Sequence, residues 1–138
     1  MEASEKIGQI AIESDFCIGN EEEFDVLGLK NNFLSKDFAF YLAKKGKIII
    51  YKKGILGCEF MYLNNHFSLG AFNVKSLKPF GAGDAFMGGF ISSLSRKNNL
   101  KDSLIFGSAS AALVVSKIGC SSAMPVFSEV KTFIHNNK

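Results

Sequence analysis

The chain has 138 residues, 47% of them hydrophobic, and a formal net charge of +3 at pH 7. This length suffices for one domain with a sizeable core. Because the charge is small and the lysines are scattered, a solvated surface is favoured over a nucleic-acid-binding patch. No apolar run approaches the roughly 20 residues of a membrane span, and no signal peptide is visible, so no membrane partner and a cytoplasmic location are expected.

The first part of the chain is predicted to alternate helices and strands. The predicted elements are a helix over 5–13, a strand over 14–18, a helix over 21–27, a helix over 35–45 and a strand over 47–51. Asn20 and Ser35 are candidate N-caps, and Gly28 and Gly46 are expected helix ends. The last strand is a continuous apolar run, which is typical of burial on both faces.

The remainder is predicted to continue this alternation. A turn is predicted over 54–57, followed by strands over 58–63 and 66–72 on either side of a hairpin signal. Three helices are predicted after them, over 83–95, 104–118 and 128–135. This order indicates an α/β fold with a largely parallel sheet. The three cysteines are far apart and lack metal-ligand spacing, so reduced thiols and no direct metal site are expected.

The most informative segment is Gly81-Ala82-Gly83-Asp84, three small residues and a carboxylate at a predicted helix start. A helix N-terminus presents free N–H groups and a positive dipole end, and small residues let a phosphate approach them. A dinucleotide fingerprint fits poorly because Phe86 stands where a third glycine is wanted, and the Gly-Lys-Ser/Thr of a Walker loop is absent. From spacing alone, a helix start that only packs closely remains an equal alternative.

A second pattern lies at Asn20 and Glu23, which have the spacing of a capping box. In that arrangement the Asn20 side chain accepts from the Glu23 N–H while the Glu23 carboxylate accepts from the Asn20 N–H. The pattern by itself indicates only a helix start. A further role for Glu23 is compatible with it, since both place this residue in the first turn.

Taken together, these motifs resemble the ribokinase-like (PfkB-type) carbohydrate kinases. The segment from Gly81 to Phe86 resembles the C-terminal signature of that family, and Asn20-Glu21-Glu22-Glu23 resembles its Asn-x-x-Glu motif. Residues 119–125 resemble the family's segment near the adenine pocket. The resemblance runs in order from about Ile10 to Ile134.

The resemblance implies roles for individual residues. Asp84 corresponds to the catalytic base, Gly81, Ala82 and Gly83 to the anion hole, and Asn20 and Glu23 to the network that organises magnesium and phosphate. The cofactors implied are ATP and Mg²⁺. Further nucleotide contacts are implied for Lys52, Gly54, Gly57, Ser116, Gly119 and Cys120. For Lys52, a solvated side chain is an equally good interpretation.

The resemblance also implies the architecture and the reaction. The expected fold is the C-terminal, nucleotide-side portion of a three-layer α/β/α kinase domain over residues 1–138, without the N-terminal sugar-binding half. The expected reaction is ATP-dependent phosphorylation of a sugar or sugar-acid hydroxyl, as in the branch that acts on a keto-deoxy sugar acid in inositol catabolism. Alternatives are a non-catalytic nucleotide-binding module, or a kinase for ribose, fructose or 2-keto-3-deoxygluconate. The expected partners are a small sugar or sugar acid, and a separate N-terminal half or a second copy of the chain.

Overall fold

The computed structural model of the chain describes residues 2–29, 33–119 and 121–137. They form two compact units, Met1–Gly70 and Ala71–Lys138. The first unit contains α1 (Glu2–Glu13), β1 (Phe16–Asn20), α2 (Glu21–Gly28), α3 (Ser35–Lys44), β2 (Ile48–Lys52), β3 (Cys58–Tyr62) and β4 (Asn65–Leu69). The second contains α4 (Ala82–Ser95), α5 (Leu100–Val115) and α6 (Phe127–Asn136). Within the described ranges, no helix is long and apolar enough to cross a membrane.

The sheet of the first unit has the strand order β1-β2-β3-β4. Strand β1 pairs with β2 in parallel, whereas β2–β3 and β3–β4 are antiparallel. The prediction of a largely parallel sheet is therefore wrong for the strands that the structure describes. The reason is connection length: α2 and α3 separate β1 from β2, but the later connections are short, and a short connection permits only antiparallel pairing.

The core of the first unit lies between the sheet and its helices. Ile49, Ile50 and Tyr51 of β2 are all buried, which confirms the prediction from the continuous apolar run. Phe24 of α2 is fully buried, and its ring centroid lies 5.4 Å from that of Tyr51. Phe38 of α3 belongs to the same cluster. These contacts fix α2 and α3 against the carboxyl-end half of β2.

The start of α3 differs from its prediction. The N-cap position is Leu34, which makes no side-chain cap hydrogen bond, so the assignment of Ser35 as the cap is wrong. Ser35 is instead the first helical residue, and its hydroxyl lies 3.0 Å from that of Tyr51. Its N–H donates to Asp25 Oδ1 at 3.1 Å. A side chain from α2 thus performs the capping that a local residue was expected to supply.

Several other boundaries shift by a few residues. Helix α5 begins at Leu100 instead of residue 104, because Asn99 accepts a hydrogen bond from the Asp102 N–H at 2.8 Å and so caps the helix earlier. Helix α4 begins at Ala82, one residue before its predicted start. Strand β4 ends at Leu69 instead of residue 72.

Helices α4 and α5 of the second unit approach each other closely at two glycines. A Cβ atom on Gly107 would lie 2.8 Å from the carbonyl oxygen of Phe86, and one on Gly89 would meet the side chain of Ser110. The buried rings of Phe86 and Phe90 lie on the α4 side of this contact. Since α4 begins at the predicted catalytic segment, this interface holds that segment against α5.

A buried carboxylate in β3 is the main electrostatic feature of the first unit. The Glu59 side chain is 6% exposed and accepts from Lys36 Nζ at 3.0 Å and Lys53 Nζ at 2.9 Å. Its other oxygen lies 2.8 Å from His66 Nε2. Burial by itself raises the pKa of Glu59, but the hydrogen bonds from Lys53, Lys36 and His66 outweigh burial and lower this pKa from 4.5 to about 2.

This depressed pKa predicts a specific loss of stability in acid. Because the folded-state pKa lies below the unfolded one, ionised Glu59 stabilises the fold above pH 4.5, and this contribution is lost as the pH falls from 4.5 through 2. Urea unfolding measured from pH 7 to pH 2 should show the loss in that window. Glu59→Gln should have a lower unfolding free energy than the wild type at pH 7. Its unfolding free energy should also change less between pH 4.5 and pH 2. Parallel profiles for the two proteins would exclude this role of Glu59.

Candidate functional site

The start of α4 has the geometry of an anion site. Gly81 is its N-cap residue and has a φ of 84°, in the left-handed region that favours glycine. The Ala85 N–H donates to the Gly81 carbonyl at 2.9 Å. The N–H groups of Ala82, Gly83 and Asp84 precede this bond and have no intrahelical acceptor. They point out of the positive end of the helix, where an anion is stabilised.

Asp84 is the third residue of α4, and its side chain is exposed. A carboxylate in the first turn is favoured by the helix dipole and stays next to the free N–H groups. The structure therefore brings together the four predicted residues Gly81, Ala82, Gly83 and Asp84 as one continuous helix start. Their ligand roles remain predictions.

The segment that leads into this helix start is attached to the end of α5. The N–H groups of Leu77 and Lys78 both donate to the Val115 carbonyl, at 2.8 and 3.4 Å. Ser116 is the C-cap residue of α5, and its hydroxyl donates to the Leu113 carbonyl at 2.9 Å. This bond uses the hydroxyl proton of Ser116. The hydroxyl oxygen can still accept a hydrogen bond from another donor.

The neighbouring predicted contacts are only partly described. Gly119 has a φ of 97°, and a Cβ atom there would meet Ser122 Oγ, so backbone conformation explains this glycine without a ligand. Cys120, the other residue predicted to contact the nucleotide here, lies outside the described residues.

The predicted residues of the first unit meet where β1 and β2 end. Asn20 and Lys52 are paired in the parallel register of these strands. Asn20 Oδ1 accepts from the Glu23 N–H at 2.8 Å, and Glu23 Oε2 accepts from the Asn20 N–H at 2.6 Å. The prediction of a capping box is confirmed. The carboxyl ends of adjacent parallel strands are a common place for ligands in α/β proteins.

Lys52 joins this group as an ion-pair partner. Its Nζ lies 3.6 Å from Glu23 Oε2, and its side chain is 22% exposed, against 55% for Glu23. Lys52 is thus a partly buried ion-pair partner, and its contact with phosphate stays a prediction. An ion pair as open as this contributes little to stability. It does place an ammonium group beside the carboxylate at the ends of both strands.

The loop after β2 is a short 3₁₀ turn, Gly54–Leu56, closed by a hydrogen bond from the Lys53 N–H to the Gly57 carbonyl at 2.7 Å. Gly54 and Gly57 have φ angles of 59° and 87°, so the turn itself requires both glycines. The predicted turn over 54–57 is confirmed. Whether Gly54 and Gly57 also contact a nucleotide is a prediction that the backbone conformation neither requires nor opposes.

A magnesium ion would find oxygen ligands at Asn20 and Glu23, the type it prefers. Within the parts of the chain that the structure describes, no three His, Cys, Asp or Glu side chains form a group that could hold a metal. The Asn20 and Glu23 oxygens already accept hydrogen bonds within the capping box. This donor set fits an ion that is held through water and phosphate oxygens, with few direct protein ligands.

The sequence prediction omits Lys53 and Glu59, which the structure places on either side of the Gly54–Gly57 loop. One signal for them was available. Glu59 is a lone charge in the otherwise apolar strand β3, and a carboxylate in such a position is almost never buried without a partner. Which lysine would serve as the partner depends on the strand pairing.

Removal of the capping box should be measurable as a loss of stability. Asn20→Ala deletes the acceptor for the Glu23 N–H and should cost about 1 kcal/mol of unfolding free energy, within the usual range for N-caps. Asn20→Asp keeps the acceptor and should lose much less. Urea unfolding of the three proteins at pH 7 measures the difference. If Asn20→Ala were as stable as the wild type, the capping box would not contribute.

Sequence relatives of the chain are kinases. The pfkB family carbohydrate kinase pattern matches residues 2–126. The chain is 38% identical over 132 residues to a 5-dehydro-2-deoxygluconokinase of Listeria innocua, with 92% of this chain aligned to 40% of that protein. A protein of the same name from Photobacterium profundum is 37% identical over 143 residues, with 100% of this chain aligned to 43% of that one. The chain thus spans about two fifths of the length of these curated relatives.

Solved structures agree with this family. Ribokinase from Thermotoga maritima matches with a TM-score of 0.84 and 30% identity, covering 94% of this chain and 45% of that one. A putative ribokinase II from E. coli, in complex with ATP and Mg²⁺, matches with a TM-score of 0.88 and 23% identity. The match covers 98% of this chain and 44% of that one. The second match shows likeness of fold alone. The fold is therefore ribokinase-like α/β, and the chain belongs to the pfkB family of carbohydrate kinases.

Proposed function

We propose that this chain supplies the ATP site and the catalytic base of a kinase that phosphorylates a hydroxyl of a sugar acid. The observation that carries the proposal is the start of α4, where the exposed Asp84 carboxylate adjoins the N–H groups of 82–84. An anion cradle and a base in one turn of helix are the two protein parts that phosphoryl transfer to an alcohol requires.

In this proposal Asp84 acts on the acceptor hydroxyl. Its carboxylate takes the proton as the hydroxyl oxygen attacks the γ-phosphorus of ATP, and the bond from that phosphorus to the β,γ-bridging oxygen breaks, releasing ADP. The N–H groups of Ala82 and Gly83 stabilise the negative charge on the transferred group. Because the transition state is loose, most of the rate enhancement comes from positioning and charge stabilisation.

Asn20, Glu23 and Lys52, which meet at the ends of β1 and β2, form what we call the strand-end group. We assign this group to the binding of phosphate and magnesium. Asn20 and Glu23 would hold the ion through water, and Lys52 would offer its ammonium group to a phosphate oxygen. When bound, Mg²⁺ neutralises phosphate charge. The capping box keeps the Glu23 carboxylate in one orientation before any ligand arrives.

The proposed acceptor is 5-dehydro-2-deoxygluconate, after the names of the curated relatives. The proposed setting, inositol catabolism in the cytoplasm, follows from the family resemblance of the sequence. Ribose, fructose and 2-keto-3-deoxygluconate are the acceptors to compare with it. Since the chain spans about two fifths of those relatives, we assign the sugar pocket to the remainder of the kinase domain, in the same chain or in a separate one. A second copy of this chain is the other partner to test.

Nucleotide titration tests the first part of the proposal. Calorimetry with the 138-residue chain and Mg²⁺ should show weak binding of ADP and ATP, and at least about tenfold weaker binding of AMP, which lacks the phosphates that the cradle would hold. The chain alone should not phosphorylate a sugar, because the sugar pocket is assigned to the remainder of the kinase domain. If ADP did not bind at millimolar concentration, the proposed ATP site would be contradicted. Nucleotide binding by the complete kinase without phosphorylation of any of the four acceptors would favour a non-catalytic module.

A further inference from the structure

The two ends of the loop after β2 are joined by one partly buried ion pair. Lys53 immediately precedes the Gly54–Leu56 turn, and Glu59 lies two residues beyond Gly57, at the other end of the loop. Lys53 Nζ lies 2.9 Å from Glu59 Oε1, with side chains 27% and 6% exposed. This contact therefore joins the two ends of the loop, and because its carboxylate is buried, the charged hydrogen bond is stronger than one at the open surface.

The two adjacent lysines at the end of β2 have different partners. Lys52 Nζ lies by Glu23 in the strand-end group, whereas Lys53 Nζ bonds to Glu59. Lys52 is the last residue of β2, and Lys53, with φ −122° and ψ 26°, begins the turn, so the Lys53–Glu59 ion pair restrains the backbone next to Lys52. Glu59 is itself held in place by its strand pairing with Tyr51 and Ser68 and by His66 of β4, while Lys36 of α3 is a further partner whose side chain is 48% exposed. The Glu59 carboxylate therefore has a fixed position in the sheet, and Lys53 connects the loop to it.

We propose that Glu59 is a positioning residue of the nucleotide site, which acts through Lys53 to hold the β2–β3 loop and direct Lys52 toward phosphate. This inference rests on the proposed function. Glu59 does not contact the nucleotide in this proposal, since its oxygens are occupied by Lys36, Lys53 and His66.

Backbone hydrogen bonds shape the turn, but side-chain packing restrains it little, so the Lys53–Glu59 ion pair adds a restraint that the loop otherwise lacks. Both Gly54 and Gly57 adopt positive φ angles, and glycine loses more conformational entropy on ordering than any other residue. Ile55, between them, is 92% exposed and contributes little packing. The hydrogen bond from the Lys53 N–H to Gly57 closes the turn, and the Lys53–Glu59 ion pair fixes the turn to the sheet.

The structure offers a matched control for the test. Lys36 bonds to the same Glu59 oxygen as Lys53, at 3.0 Å against 2.9 Å, but belongs to α3 and does not adjoin the loop. The variants are Glu59→Gln, Lys53→Met, their double mutant and Lys36→Met. The dissociation constant for MgADP is measured by calorimetry for each, on the 138-residue chain, at a temperature at which thermal unfolding shows all of them folded.

The expected result separates positioning from stability. Glu59→Gln and Lys53→Met should each weaken MgADP binding about fivefold or more, and the double mutant should bind no worse than either, as coupled residues do. Lys36→Met should lower the thermal midpoint but keep the dissociation constant within about twofold. Amide hydrogen exchange at 53–57 should accelerate in Glu59→Gln and Lys53→Met and not in Lys36→Met.

The contrary results are distinct. Equal dissociation constants for the wild type and Glu59→Gln would overturn the positioning role and leave the proposed ATP site intact. Equal losses in Lys36→Met and Lys53→Met, with exchange unchanged at 53–57, would overturn it in favour of a general structural role. If the wild-type chain itself failed to bind MgADP, the proposed function would fall and this inference with it.

Discussion

Asp84→Asn should lower the turnover number of the complete kinase by about 100- to 10,000-fold, the usual contribution of a general base. The amide keeps the shape of the carboxylate but cannot take up the hydroxyl proton. The KM for ATP should stay within a few-fold, because the N–H groups of 82–84 are backbone groups that the substitution leaves in place. Steady-state kinetics on a chimaera, in which the N-terminal part of the Listeria innocua relative precedes this chain, measures both values.

Asp102 provides the matched control for this experiment. It occupies the same third position of α5 that Asp84 occupies in α4, and its carboxylate accepts from Asn99 Nδ2 at 2.7 Å. Asp102→Asn should therefore change stability slightly and leave the turnover number within about twofold, as exposed substitutions usually do. An Asp84→Asn enzyme that kept most of its activity would remove Asp84 from the mechanism, whatever the control showed.

Gly107→Ala should lower the unfolding free energy by about 1–3 kcal/mol, the usual cost of overpacking a tight contact. The new Cβ would lie 2.8 Å from the Phe86 carbonyl oxygen and 3.2 Å from Phe90 Cβ. A backbone oxygen cannot move aside as a side chain can, so α5 must shift away from α4. Urea unfolding and the thermal midpoint measure the loss.

Gly88 is the control for this effect. It lies in α4 one residue from Gly89, and a Cβ atom there would meet nothing within 4 Å. Gly88→Ala should therefore gain about 0.5–1 kcal/mol from helix propensity alone. If Gly107→Ala were also stabilising, the two helices would not be as close in solution as the structure has them.

The features that the sequence by itself determined are those built from neighbouring residues. The capping box joins Asn20 to Glu23 through two hydrogen bonds three residues apart, and the anion-binding helix start is a run of four consecutive residues. The buried strand β2 follows from its continuous apolar run. In each case the physical cause lies within one turn or one strand, so the pattern of residue types contains it.

Tertiary structure decided the features whose partners are distant in the chain. Asp25 takes over the cap expected of Ser35, and Lys52 meets Glu23 only because β1 and β2 pair in parallel. The buried Glu59 accepts a hydrogen bond from Lys36, which lies 23 residues away in the sequence. A sequence shows that a carboxylate in an apolar strand requires a partner, but strand register and helix packing determine which side chains come within hydrogen-bonding distance.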